Sequence, residues 1–178
     1  MKRILAVAAV TLLTMFVAPV AADEQEEIRV HLVGYQETPM TINTTGGAVF
    51  RAKIHSDGTA IDYELTYRDL SSAVTQSHIH FGRPAISGMI VLFLCTNLAP
   101  PAGVPTPQAC PQTNPATITG TLTKDNVIPR PAQGIDPGAT GFAEMLQAIR
   151  AGAAYVNVHT TTFPSGEIRA RLGPFGGH

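Results

Sequence analysis

From Asp23 onward, apolar and polar residues alternate with a period of two, break at a turn and resume, almost to the end of the chain. Side chains of an extended strand point to opposite faces in turn, so this pattern predicts strands with one face buried and an antiparallel β domain. Ile28, Val30 and Leu32 form one face of a first strand, with Arg29 and His31 on the other. Phe50, Ala52 and Ile54 face the core from a second. The turn Ser56-Asp57-Gly58-Thr59 then leads to Ile61, Tyr63, Leu65 and Tyr67 in a third, which pairs with the second as a hairpin. Gly88 to Cys95 is apolar on both faces and reads as a central strand covered on both sides. Thr117 to Leu122 is another candidate strand.

The interruptions are equally informative. Residues 99–115 hold prolines at 100, 101, 105, 107, 111 and 115, which excludes regular sheet and predicts a long surface loop, and Pro129 to Gly138 reads as a second loop. A helical period occurs once, over about 141–151, where Phe142, Met145, Leu146 and Ile149 share a face. Thr140 is its candidate N-cap and Gly152 its stop, and the helix should lie across one end or edge of the sheets. The expected fold is all-β: an antiparallel, Greek-key-like β-sandwich with one short helix, in one domain over residues 23–178 without internal repeats.

The first 22 residues fall outside that pattern. Lys2 and Arg3 precede an apolar run from Ile4 to Val17, and Val20-Ala21-Ala22 is a small-residue cleavage signal, so a signal peptide cut after Ala22 is expected. The run is too short for an ordinary transmembrane helix, and no cysteine follows the cut to carry a lipid. The mature chain then keeps ten of the twelve basic residues against thirteen acidic ones. That balance gives nucleic acid no basic surface. A periplasmic or secreted protein is expected, with no transmembrane segment in the mature chain and an extracytoplasmic protein or a metal ion as partner. In an oxidising compartment Cys95 and Cys110 should form a disulfide, since neither has the basic neighbours that activate a thiolate.

Candidate chemistry concentrates in two segments, Ser77-His78-Ile79-His80-Phe81 and Tyr155-Val156-Asn157-Val158-His159. Strand parity places His78 and His80 together on one face, opposite Ile79 and Phe81, and places Tyr155, Asn157 and His159 together opposite Val156 and Val158. With the apolar sets inward, all three histidines face outward, toward solvent. Three neutral imidazoles on adjacent strands suit copper or zinc, with an open position for water. The competing reading is a set of surface histidines that only make hydrogen bonds. A hairpin over residues 155–172 whose opposed positions sum to an even number would set Asn157 across from Arg169. The same register sets His159 across from Glu167, which becomes a second-shell acceptor or fourth ligand. Glu167, Arg169 and Arg171 otherwise read as exposed cross-strand ion pairs. His31 and His55 read as solvated residues without partners, His178 as a terminal residue, Glu37 as a surface or turn carboxylate, and Arg83 as a loop arginine. No Gly-x-Ser-x-Gly elbow and no Gly-rich phosphate loop is present.

Gly34-Tyr35-Gln36-Glu37-Thr38-Pro39, His78-Ile79-His80-Phe81-Gly82, and Tyr155 to Thr160 followed by Pro164-Ser165-Gly166-Glu167-Ile168-Arg169 together resemble the CHRD domain, named for its repeats in chordin. The likeness covers about residues 27–172. It departs from the expected pattern at Arg83-Pro84-Ala85, in the longer proline and cysteine loop, and at Ala170-Arg171. The resemblance implies an extracytoplasmic β-sandwich acting as a binding module, to which no enzymatic role is attached. The His-x-His strand also resembles, locally, the copper-binding strand of copper/zinc superoxide dismutases. Three functions follow: a binding module with a copper or zinc site at His78, His80 and His159, a metal-dependent redox enzyme of the dismutase kind, and a metal-free extracellular interaction domain.

Overall fold

The computed structural model describes residues 26–100 and 102–173. The leader read over residues 1–22 and the terminal His178 lie outside the described residues. Eight strands form one antiparallel sheet: β1 (Glu26–Val33), β2 (Gly47–Ile54), β3 (Ala60–Arg68), β4 (Val74–Phe81), β5 (Met89–Thr96), β6 (Ala116–Thr123), β7 (Ala154–Thr160) and β8 (Ile168–Leu172). Their spatial order is β5-β4-β7-β8-β1-β2-β3-β6. The end strands β5 and β6 come into contact, so the sheet curls over and buries one face against itself.

Alternation dictates what fills the interior. Val30, Phe50, Leu65, Ile79, Val156, Val158, Ile168 and Ala170 all lie in one buried cluster. The β2–β3 hairpin forms as the sequence requires, with Phe50 opposite Leu65. Gly58 in its turn adopts φ +68°, a conformation that favours glycine.

β5 is not a central strand. It stands at the end of the sheet order, paired only with β4. Its apolar residues are nevertheless buried, because irregular chain occupies the place of a neighbouring strand. Thr96 N–H donates to the Gln108 carbonyl (2.9 Å), Ile128 N–H to the Val91 carbonyl (2.9 Å), and the Tyr63 hydroxyl reaches from β3 to the Leu94 carbonyl (2.7 Å). An exposed strand edge invites pairing with other chains, and this one is covered. The proline loop is part of that cover, and the Cys95–Cys110 disulfide ties it to the strand.

The helix α1 runs from Gly138 to Arg150 and buries Phe142, Met145, Leu146 and Ile149. It starts before the expected position: Pro137 is the N-cap residue and Thr140 lies within the first turn. Gly141 lets the entering chain pass close to the helix, because a Cβ there would sit 1.7 Å from the Asp136 carbonyl oxygen. Arg150 pairs with Glu26 (2.6 Å) at the start of β1, and Leu146 lies against Gly58, so the helix closes one end of the sheet.

The two halves of the outer face differ. Over β1, β2 and β3 it carries exposed ion pairs such as Arg51–Glu64 (2.6 Å). Over β4, β7 and β8 the outward-facing His78, His80, Tyr155, Asn157, His159 and Arg169 are buried, with the segments 34–46 and 82–88 as cover. The candidate site lies there. Replacing both cysteines by serine opens a link spanning a sequence separation of 15. We expect urea unfolding to report a loss of about 3 kcal/mol, and a loss below about 1 kcal/mol would mean that the loop packing alone holds the β5 edge.

Candidate metal centre

His78, His80 and His159 each offer a ring nitrogen, and the three atoms lie within 4.8 Å of one another. β4 pairs with β7, setting His78 across from Asn157 and Gln76 across from His159. β7 pairs with β8, setting Asn157 across from Arg169 in the register anticipated from the hairpin. The outer face therefore carries a row of His78, Asn157 and Arg169, flanked by His80 on one side and His159 on the other. The His78 ring centroid stands 4.6 Å from each of the other two.

Parity assigns the histidines to the correct face, but that face is not wet. His78, His80 and His159 are 0%, 7% and 6% exposed. Period-two alternation reports which residues share a face, and it says nothing of chain that returns from elsewhere to cover it. Arg169 binds both covering segments: one guanidinium nitrogen donates to the Thr38 hydroxyl, and another to the Ile86 carbonyl (2.9 Å) and the Arg83 carbonyl (3.3 Å). Its Cζ rests 3.4 Å from the centre of the Tyr155 ring, whose other neighbour is His80, stacked at 4.4 Å. Gly88 completes the cover by donating its N–H to the Tyr155 hydroxyl (3.1 Å).

Hydrogen bonds fix two tautomers. Nδ1 of His80 lies 2.9 Å from the Gly88 carbonyl oxygen and Nδ1 of His159 lies 2.9 Å from that of Pro164. A carbonyl only accepts, so each Nδ1 carries the proton and each Nε2 presents a lone pair. Metal-bound histidines are commonly oriented in this way. Nε2 of His159 and both ring nitrogens of His78 are buried without a hydrogen-bond partner. Nε2 of His80 stands 3.2 Å from the Asn157 side-chain amide. As Nε2 is an acceptor, the amide nitrogen must face it in the metal-free protein.

All three rings are held neutral. Burial pushes His78 well below the ordinary imidazole range, helped by repulsion from His159 and His80. It lowers His80 to about 4 and also lowers His159. Neutral imidazoles with free lone pairs are the ligand form.

The carboxylates do not sit where the sequence suggests. Glu167 is fully buried and does not hydrogen-bond His159. Its carboxylate accepts from the hydroxyls of Thr44, Ser71 and Thr160 (2.7 Å each) and from Ser71 N–H (2.9 Å). β8 begins only at Ile168, so a residue in the preceding bend is not bound by strand parity. Arg169 is buried as well, and Arg171 donates to the Gly152 carbonyl (2.9 Å), so neither joins the exposed ion pairs anticipated for this strand. Glu37 is no surface residue either. It is 4% exposed, its Oε1 has no partner, and burial raises its pKa to about 7 despite the Thr38 N–H and the nearby Arg169. Gly166, at φ +124°, leaves the space that Glu37 occupies: a Cβ there would lie 2.6 Å from Oε1. His31 is exposed, as expected, and Arg83 is an exposed loop residue. His55 is paired with Asp62 (2.8 Å), not partnerless.

Asn157, Tyr155 and Arg169 were legible as residues sharing the histidine face. Their register against one another was the available signal. Only the cover reveals what they do.

The CHRD domain family model matches residues 28–172, from β1 to the end of β8. No curated protein and no solved structure matches the chain.

Glu37 yields a pH signature. With its pKa raised from the ordinary 4.5 to about 7, the folded protein keeps a proton that the unfolded chain has released. Glu37 therefore contributes stability that is lost as pH rises through that window. Glu37→Gln removes this slope while leaving the histidine contributions in place. In urea unfolding of chelator-treated protein, the variant should gain on the parent by at least about 1 kcal/mol between pH 5 and pH 8. Parallel pH profiles would show that Glu37 titrates normally.

Proposed function

We propose that this chain, which belongs to the CHRD family, is an exported binding module that holds one copper or zinc ion at His78, His80 and His159. The observation carrying this reading is the set of buried, unpartnered ring nitrogens, two on His78 and Nε2 of His159, in a cluster whose ligand atoms lie within 4.8 Å of one another. Burying an acceptor without a partner costs about 1–3 kcal/mol. A cation would use those lone pairs, and Gly88 and Pro164 already orient the other two rings toward it. Glu37 and Glu167 are not needed as ligands. The disulfide is consistent with an oxidising compartment, and among the described residues no helix is long and apolar enough to cross a membrane.

A redox enzyme turning over a diffusing oxidant needs a path to the metal. Burial of the three rings under two segments and Arg169 favours binding over turnover. A partner surface is available on the same cover, where Tyr35, Met40 and Ile86 are exposed.

Titration of the metal-free protein with copper(II) and with zinc, followed by elemental analysis, tests the site. The parent should retain one equivalent, and a variant with His78, His80 and His159 all changed to Ala should retain none. Bound metal should also raise the melting temperature of the parent alone, because an ion that binds only the folded state stabilises it. Equal stoichiometry and affinity in both proteins would remove the metal site, and superoxide turnover above that of free metal would restore the enzyme reading.

A further inference from the structure

We infer that the site is built for copper(I) in preference to any divalent ion, an inference that rests on the metal reading of His78, His80 and His159. Every nitrogen that the site offers is neutral, and the three side chains are almost wholly removed from solvent. The desolvation cost of a buried ion grows as the square of its charge, so a dication suffers about four times the penalty of a monocation. An anionic ligand would offset that difference, but among the described residues no carboxylate joins the three histidines in the cluster.

The two nearest carboxyls described above, Glu167 and Glu37, stand outside that cluster. Glu167 is saturated by four donors from Thr44, Ser71 and Thr160. Glu37 is buried next to Thr38, whose hydroxyl accepts from the buried Arg169, so the charge nearest to this carboxyl is already a cation of the protein itself. The Arg169 guanidinium rests 3.4 Å from the centre of the Tyr155 ring, whose centroid is 4.4 Å from that of His80, so a fixed positive charge stands one ring away from the site. That guanidinium opposes added positive charge on the His80 side of the site.

Coordination number points the same way. Zinc in protein sites takes four ligands, with water completing a three-residue set. The sequence suggested an open, wet position, whereas His78 is fully buried. Copper(I) is satisfied by three donors and asks for no water. The only further polar group shown at hydrogen-bond range of a ring Nε2 is the neutral amide of Asn157.

The test is an anaerobic titration of the full protein under ascorbate, with bathocuproine disulfonate competing for copper(I), beside a zinc titration against a chromophoric zinc chelator. Copper(I) should bind at least about a thousand-fold more tightly than zinc. Protein loaded with copper(II) should keep its metal when ascorbate bleaches the copper(II) EPR signal. Zinc affinity within about ten-fold of copper(I) would overturn the inference and leave the metal site standing. Failure of every ion to bind would overturn both. Glu37→Gln supplies an independent arm: unchanged copper(I) affinity supports a site of neutral donors, and a loss above about ten-fold would make Glu37 a ligand and overturn it.

Discussion

The arrangement around the histidines depends on one buried cation. Arg169 is 3% exposed, stacks on Tyr155 and donates to groups on both covering segments. A guanidinium presents five donors in a rigid plane, which lets one side chain join a strand to two loops. Tyr155, in turn, is stacked on His80, whose Nδ1 is bound by Gly88 of the second loop. Removing the cation would free the cover, expose the outer face of β4 and β7, and admit water to imidazoles that burial now keeps neutral. Arg169 thus ties together the cover whose burial of the rings keeps them neutral, with the Gly88 contacts to Tyr155 and His80 holding the second loop beside it.

Glu167 does for the other end of the same strand what Arg169 does for its middle. It gathers Thr44 from the β1–β2 connection, Ser71 from the β3–β4 connection and Thr160 from the end of β7. A carboxylate accepting several hydrogen bonds needs no cation to be stable in the interior. With Gly166 making room for Glu37, the run Gly166-Glu167-Ile168-Arg169 supplies a gap, an anion, a core residue and a cation in four consecutive positions. This physical division of labour accounts for a motif that could be taken for a set of surface charges.

Local pattern carried the strands, their faces and their pairing. Ile79 and Val156 are interior, His78 and His159 share the opposite face, and Asn157 meets Arg169, all as alternation and an even-sum register require. What the pattern could not carry was the second layer. Glu37 and Thr38 come from a segment more than a hundred residues away from β8 in sequence, and nothing periodic marks them as a lid. Buried charges misled in the same way: Glu167 and Arg169 look like exposed strand residues because burial of a charge depends on partners contributed by remote chain. β5 shows the converse. Its apolar composition correctly indicated burial, but irregular chain supplied the cover that a neighbouring strand was expected to give.

Among the described residues few buried side-chain polar atoms lack a partner, and apart from Oε1 of Gln133 they belong to His78, His159 and Glu37. Nδ1 and Nε2 of His78, Nε2 of His159 and Oε1 of Glu37 have no partner, and they lie under the same cover. Apolar replacements at His78 and His159 would relieve the cost of the unpaired nitrogens without disturbing the interior face of the sheet. Local departures from foldability rules are expected where function opposes stability. Here the departure is also chemically specific. Neutral His78 offers one lone pair and one N–H, Nε2 of His159 offers a second lone pair, and the unpaired carboxyl oxygen belongs to a group that burial drives toward its protonated form. Such a set of neutral groups does not balance a large charge, so a weakly charged, nitrogen-seeking ion uses the unpaired lone pairs at the smallest electrostatic cost.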